Sequence, residues 1–153
     1  MLVTKIFTFD AAHQLTNYYG KCERVHGHTY RLEVTLEGDV HSNDMVIDFV
    51  LLKRIVKRQV LEKLDHHFLN DVLENPSAER LAVWIWDQLN DLSSHLKEEL
   101  NDPNMAEEIK KLLEDEDAGG SSPDFDQDLN KTLRLHEVAL WETPTSKVVY
   151  NGT

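Results

Sequence analysis

The fold is decided by one stretch of sequence, His26-Gly-His28-Thr-Tyr-Arg-Leu-Glu-Val-Thr-Leu-Glu37. From Tyr30 onward, apolar and polar side chains alternate strictly, residue by residue. Because successive side chains of a strand point to opposite faces, this two-residue period predicts a half-buried antiparallel strand. Residues 2–12 are rich in β-branched and aromatic side chains, and they predict a preceding strand that ends at His13 and pairs with this one.

The same stretch carries two histidines that point from one face of the predicted strand. His26 and His28 are two residues apart, and Gly27 between them places no bulk on the opposite face. A third imidazole, His13 from the neighbouring strand, would complete a three-nitrogen metal site. A catalytic zinc typically has three protein ligands and leaves a fourth position for water or substrate. The alternative is that these are surface or hydrogen-bonded histidines that hold no ion.

The chain's one cysteine, Cys22, lies in a polar, glycine-containing loop between the two predicted strands. As a fourth zinc ligand it would close the site and make it structural. As a base beside the metal it would react as the thiolate, a form that Lys21, Arg24 and a divalent ion would all favour. An inert core cysteine is the third interpretation. The polar character of the loop favours the reactive base.

Two helices are predicted in the middle of the chain. Asp48 is suited to cap a helix over residues 49–64, where apolar side chains recur at helical spacing. Ser77 is suited to cap a second helix, with an apolar stripe that runs from Leu81 to Leu96.

Two further strands are predicted at 132–141 and 147–150. The apolar face of the first switches near Glu137, which indicates a bulge or burial on both faces. The order strand, strand, helix, helix, strand, strand predicts an α+β fold with a four-stranded antiparallel sheet and both helices on one face. Such a sheet leaves open edges, so we expect oligomerisation through them.

Composition limits the remaining possibilities. The formal net charge of −12 argues against nucleic-acid binding, which usually needs a basic face. Residues 97–130 predict an acidic insertion in what is otherwise a single domain, residues 1–153. One cysteine fits a reducing compartment, and the sequence contains neither a signal-peptide pattern nor a long apolar run. We therefore expect a cytoplasmic protein that does not enter the membrane.

Two further polar positions are candidates for chemistry. At Asp65-His66, a carboxylate beside an imidazole can fix its tautomer and make it a proton shuttle, provided that a turn brings the two side chains together. The alternative there is a helix C-terminus, where the helix dipole favours histidine. Glu142, at the end of the third strand, could accept two parallel hydrogen bonds from the N–C–N edge of a pterin or a guanine. Its alternative is an ordinary solvent-facing strand end.

Six motifs follow one another along the chain: Phe9-x-Ala-Ala-His13, Cys22-x-x-x-His26-Gly-His28-x-Tyr30, Met45-Val-x-Asp48-Phe49-x-x-Leu52-Lys53, Leu64-Asp65-His66-x-x-Leu69-Asn70, Asn75-Pro76-Ser77-Ala78-Glu79 and Trp141-Glu142-Thr143-x-Thr145-Ser146. Through them the chain resembles the 6-pyruvoyltetrahydropterin synthase family, and most closely its bacterial branch, the 6-carboxytetrahydropterin synthases of queuosine biosynthesis. The resemblance covers the chain except for about 97–130, an acidic stretch longer than expected for that branch.

The resemblance implies a tunnelling fold. Three subunits, each with a four-stranded antiparallel sheet and two helices on one side, would close a β-barrel, and two trimers would stack into a homohexamer. It also implies a role for each candidate side chain: zinc binding by His13, His26 and His28, proton abstraction by Cys22, a relay from a neighbouring subunit by Asp65 and His66, and pterin anchoring by Glu142.

The implied reaction converts 7,8-dihydroneopterin triphosphate to 6-carboxy-5,6,7,8-tetrahydropterin, acetaldehyde and triphosphate. Within the same enzyme class, the alternative is a 6-pyruvoyltetrahydropterin synthase, which eliminates triphosphate and keeps every side-chain carbon. Outside that class, the alternatives are a zinc- and pterin-binding protein without turnover and a structural zinc module that Cys22 closes. The spacing of the motifs does not separate the two enzymes.

Overall fold

A computed structural model describes residues 1–16, 23–41, 44–104 and 132–153. Within these residues one antiparallel sheet has four strands in the order β1 (Leu2–His13), β2 (His26–Glu37), β3 (Arg134–Thr143) and β4 (Ser146–Tyr150). Each strand pairs with its neighbour in sequence. The predicted four-stranded sheet and the pairing of the first two strands are confirmed.

The helical part begins with α1 (Phe49–Val56), which continues through a π-helical segment (Lys57–Leu61) into the short α2 (Glu62–Leu64). A 3-10 turn (Leu69–Asp71), α3 (Ala78–Leu89) and α4 (Leu92–Leu100) follow. Both predicted N-caps are confirmed, because Asp48 accepts a hydrogen bond from the Val50 amide at 2.6 Å and Ser77 accepts one from the Arg80 amide at 3.4 Å.

The second predicted helix is in fact two helices. The apolar stripe runs on from Leu81 to Leu96, but α3 ends at Leu89 and α4 begins at Leu92. The break follows from Asp91, whose carboxylate accepts a hydrogen bond from the Ser94 amide at 3.2 Å and so caps a new helix. A short polar side chain that can bond to the backbone three residues ahead favours a helix start over a helix interior.

The core lies between the helices and one face of the sheet. Every second side chain of β2 from Tyr30 to Leu36 is fully buried, together with the inward stripes of α1 and α3. The pairing of β2 with β3 shifts by one residue, since Thr35 faces Glu137 whereas Leu36 faces Leu135. His136 is therefore the extra residue of a bulge, as the change of face near Glu137 predicts.

The acidic stretch predicted to begin at residue 97 starts inside an ordered helix. Glu99, on the last turn of α4, is only 2 % exposed. It accepts a hydrogen bond from Arg54 Nε at 2.8 Å and forms an ion pair with Arg58 Nε at 3.1 Å. Asp102 accepts from both guanidinium groups as well, at 2.7 and 3.0 Å. Residues 105–131, which include the rest of the predicted insertion, lie outside the described residues. No helix among the described residues is long and apolar enough to cross a membrane.

We expect Glu99→Gln to lower the free energy of unfolding by about 3 kcal/mol, because it leaves two guanidinium groups facing a neutral, partly mispaired side chain. Urea denaturation at fixed protein concentration measures this. The control is Glu98→Gln on the same helix, whose carboxylate is 54 % exposed and lies 3.4 Å from Arg58. That change should cost less than about 1 kcal/mol. Equal losses for the two variants would contradict a special role for the buried carboxylate.

Candidate active site

Three histidines meet where β1 and β2 begin to separate. His13 pairs with His26 across the two strands, and Ala11 pairs with His28, so the three rings lie on the helix-facing side of the sheet. One ring nitrogen from each histidine lies within 4.8 Å of the others. His13 is completely buried, whereas His26 and His28 are partly exposed. The convergence that the spacing predicts is present in the fold.

Backbone carbonyls fix the tautomer of two of the rings. The Nδ1 of His13 lies 2.9 Å from the Pro76 carbonyl oxygen, with the Tyr30 hydroxyl farther away at 3.4 Å, and the Nδ1 of His26 lies 2.7 Å from the Arg24 carbonyl oxygen. A carbonyl only accepts hydrogen bonds, so we assign the proton of each neutral ring to Nδ1. Both Nε2 atoms then carry lone pairs.

These two Nε2 lone pairs face each other at 3.0 Å. The third, His28 Nε2, is buried and has no hydrogen-bond partner in the described part of the chain. Burial lowers the pKa of His28 below its ordinary value and outweighs the opposite effect of the Glu142 carboxylate, so this ring is neutral at pH 7. Three ring nitrogens that converge in this way form a donor set that can hold a metal ion.

The spacing of these nitrogens suits zinc. Nitrogen ligands bind zinc at about 2.1 Å, and a tetrahedral arrangement then holds them about 3.4 Å apart. The observed separations run from 3.0 Å to within 4.8 Å. His13, His26 and His28 therefore fit a zinc ion, and the hydrogen bonds of His13 and His26 to carbonyls supply the outer partners that orient metal-binding histidines.

Glu142 lies directly beside this cluster. Its Oε1 is 3.6 Å from His13 Nε2 and 3.9 Å from His28 Nε2, and its side chain is 27 % exposed. The pairing of β3 with β4 shifts by one residue at this position, because Trp141 faces Lys147 whereas Thr143 faces Ser146. Such a shift re-aims a side chain at the end of a strand. Glu142 also lines a cavity of about 470 Å³ between the end of the sheet and the start of α3.

Asp65 and His66 meet in the turn that the sequence requires for a relay. Asp65 is the C-cap of α2 and begins the turn, His66 has a positive φ of 60°, and the His66 Nδ1 lies 2.8 Å from the Asp65 carboxylate. The same carboxylate accepts a hydrogen bond from the Asp10 amide at 3.0 Å. This bond, with a smaller contribution from His66, holds the pKa of Asp65 below its ordinary value, so the carboxylate is ionised. The second ring nitrogen of His66 takes no part in the bond to Asp65, and the His66 side chain is largely exposed.

The relay pair does not enter the Glu142 cavity of its own chain. It lies at the outer edge of β1, where the His66 side chain is 77 % exposed. There it borders a different cavity of about 570 Å³, which is also lined by Asp10, His28 and Thr29. Cys22 lies outside the described residues, so its distance from the histidines stays a prediction.

The 6-pyruvoyl tetrahydropterin synthase family model matches residues 2–117. The chain belongs to this family. It is 33 % identical to the 6-carboxy-5,6,7,8-tetrahydropterin synthase of Haemophilus influenzae over 97 % of this chain and 96 % of that one. It is 40 % identical to the enzyme of the same name from Synechocystis, over 59 % of this chain and 75 % of that one.

The family's fold is also recognisable in solved structures. The 6-pyruvoyl tetrahydropterin synthase of Caenorhabditis elegans matches with a TM-score of 0.66 at 23 % identity, over all of this chain and 96 % of that one. The protein is thus a member of a family of pterin-processing enzymes, with the sheet-and-helix fold of a pterin synthase and a histidine cluster able to hold a metal.

Several residues of the Glu142 cavity were not predicted as functional. Ser77 is predicted only as a helix cap, Glu79 only as part of a motif and Lys147 only as part of a strand, yet all three line the cavity. The Pro76 carbonyl that holds His13 was not predicted either. Pro76, Ser77 and Glu79 share one signal, the Asn75-Pro76-Ser77-Ala78-Glu79 motif, which places a helix start and two polar side chains at one point of the pterin synthase fold. Lys147 lies outside this motif.

We expect His28→Ala to raise the zinc Kd more than about 100-fold. Loss of a residue that only orients a metal ligand already lowers metal affinity by about 10- to 100-fold, and loss of a ligand itself should lower it further. Competition with a chromophoric chelator measures the zinc Kd, and metal analysis after dialysis measures the bound zinc per chain. The control is His136→Ala, which removes a histidine that pairs with Glu37 on another part of the sheet. A zinc affinity that survives His28→Ala but falls with His136→Ala would contradict the site.

Proposed function

We propose that this protein is a zinc-dependent 6-carboxy-5,6,7,8-tetrahydropterin synthase, which converts 7,8-dihydroneopterin triphosphate to 6-carboxytetrahydropterin, acetaldehyde and triphosphate. The observation that carries the proposal is the three-histidine cluster that opens beside Glu142 and its cavity. The name of the Haemophilus influenzae relative, which aligns over nearly the whole chain, supports the choice of product. A place in queuosine biosynthesis is part of the same proposal.

Glu142 is proposed to anchor the pterin ring. An ionised carboxylate can accept two parallel hydrogen bonds from the amino group and the adjacent ring N–H of a 2-amino-4-oxopyrimidine. The cavity that it lines offers further polar groups at Ser77 and Glu79. Since Glu142 also stands within 4 Å of two histidine nitrogens, a pterin bound there would direct its side chain toward the metal site.

The chemistry needs two proton-transfer groups. Zinc, when bound, would polarise the side-chain oxygens of the substrate and ease the removal of an adjacent proton. Cys22 is proposed to take that proton, and His66, oriented by Asp65, to exchange protons through its second ring nitrogen.

The two candidate reactions differ in the fate of the side-chain carbons. Loss of triphosphate with internal redox alone leaves the 6-pyruvoyl product. Uptake of one water and cleavage of a carbon–carbon bond then yield acetaldehyde and the 6-carboxy product.

The relay is proposed to serve the site of a neighbouring subunit in a homohexamer of two stacked trimers. Two observations support this arrangement: the exposure of His66 away from its own Glu142 cavity, and the absence, among the described residues, of a partner strand beside β4 and beside residues 2–9 of β1. Sheet edges of this kind are covered when subunits join into a barrel. A cytoplasmic location belongs to the same proposal.

The decisive experiment incubates the zinc-loaded protein with 7,8-dihydroneopterin triphosphate. We expect a product with the mass of 6-carboxytetrahydropterin and, in an enzymatic aldehyde assay, one acetaldehyde per triphosphate released. A product that keeps all side-chain carbons, without acetaldehyde, would identify a 6-pyruvoyltetrahydropterin synthase instead.

Cys22→Ala serves as the control for this assay. If Cys22 is the base, the variant should keep its zinc with a Kd within about twofold of the original and lose turnover by at least about 100-fold. Loss of the zinc would instead identify Cys22 as a fourth ligand in a structural site. Undiminished biological activity would favour a pterin-binding protein without turnover.

We expect Glu142→Gln to lower kcat/KM by about 10- to 100-fold, since hydrogen bonds to a charged group contribute about 1.5–3 kcal/mol each and the amide NH2 would face the N–H groups of the pterin. Steady-state kinetics measure this change. The matched control is Glu137→Gln on the same strand, which does not line the cavity. A KM unchanged by Glu142→Gln would contradict the anchoring role.

A further inference from the structure

One segment covers the outer edge of β1 at the end that carries His13. We call residues 65–76 the edge segment. This segment forms hydrogen bonds to alternate residues of the edge. The Asp65 carboxylate accepts one from the Asp10 amide at 3.0 Å, and the His66 amide donates one to the Asp10 carbonyl at 2.6 Å. The His67 carbonyl accepts one from the Ala12 amide at 3.2 Å. Because a strand directs every second residue's backbone groups to one side, this spacing is that of an added neighbouring strand.

Side chains continue this pairing after β1 has ended. Asn70 Oδ1 accepts a hydrogen bond from the Gln14 amide at 2.9 Å, and Asn70 Nδ2 donates one to the Gln14 carbonyl at 2.9 Å. Asn75 Oδ1 accepts from the Thr16 amide at 3.1 Å. The side-chain amide of Asn70 thus takes the place of a backbone peptide, because it offers one acceptor and one donor in the same plane.

These contacts enclose the buried histidine. His13 lies between Ala12 and Gln14, both of which the edge segment holds by their backbone groups. The ring of His13 is held by the Pro76 carbonyl at the far end of the same segment. On the opposite side the segment is fixed to the core by Leu69, the fully buried neighbour of Asn70. The position of His13 is therefore set by a segment that begins with Asp65 and His66.

We infer that Asn70 is a positioning residue that holds His13 in place as a metal ligand and sets its spacing from the Asp65-His66 pair. Asparagine is suited to this place because aspartate has no N–H to donate, alanine has neither group, and glutamine is one methylene longer. Because His13 is a metal ligand only under the proposed function, the role of Asn70 depends on that function.

The test compares zinc binding and hydrogen exchange in Asn70→Ala, Asn70→Asp and the unaltered protein. We expect Asn70→Ala to raise the zinc Kd about tenfold, as for loss of an outer-shell partner, and to speed exchange of the Gln14 amide at least about tenfold. Asn70→Asp keeps the acceptor for the Gln14 amide but loses the donor, so its Kd should lie between the other two. This second variant keeps the test open if Asn70→Ala does not fold.

The control is Asp91→Ala, which removes the N-cap of α4 and lowers stability far from the edge segment. It should reduce the Tm and leave the zinc Kd within twofold. An equal rise in Kd for Asp91→Ala, or an unchanged Kd in Asn70→Ala despite faster Gln14 exchange, would overturn the role of Asn70 alone. If the unaltered protein binds no zinc, the proposed function falls together with this role.

Discussion

The structure of the site depends on two backbone carbonyls. Those of Pro76 and Arg24 each face the Nδ1 of a histidine, and because a carbonyl cannot donate, each ring must place its proton there. The consequence is that His13 and His26 point lone pairs at each other across 3.0 Å. A proton shared between the two nitrogens, or a metal ion bound to both, would relieve the repulsion of these lone pairs. The fold thus holds two of the three histidine nitrogens where one cation can contact both.

The sheet places the three histidines and Glu142 at one point of the fold. The antiparallel register of β1 with β2 puts His13 opposite His26 and His28 opposite Ala11, so the three rings share one face. A register shift at Glu142 then directs a carboxylate toward the same nitrogens. The relay pair, in contrast, is tied to the outer edge of β1 through Asp10. His13 and the Asp65-His66 pair therefore both depend on β1, His13 as its last residue and the pair through its outer edge.

The sequence predicts whatever depends on local period and motif. A two-residue spacing suffices to place His26 and His28 on one face, and the need for a turn suffices to predict how Asp65 meets His66. The sequence does not predict where a backbone carbonyl points, so the hold of Pro76 on His13 was missed. Burial of Glu99 was missed for a similar reason: an acidic run indicates a solvated helix unless two arginines from another helix approach it. The break at Asp91 was missed because an apolar stripe continues across two helices.

Electrostatics at the site differ from those of the whole chain. The formal charge of −12 is poorly matched to a triphosphate, and the Glu142 carboxylate stands next to the cluster of three histidine nitrogens. A group of this kind is satisfied only by positive charge or by N–H donors. The proposed substrate and ion supply both. The pterin edge would donate two N–H hydrogen bonds to the Glu142 carboxylate, and a divalent ion would be bound by the histidine nitrogens. The chemistry of Glu142 and the three histidines, and not the net charge of the chain, then decides which ligand binds.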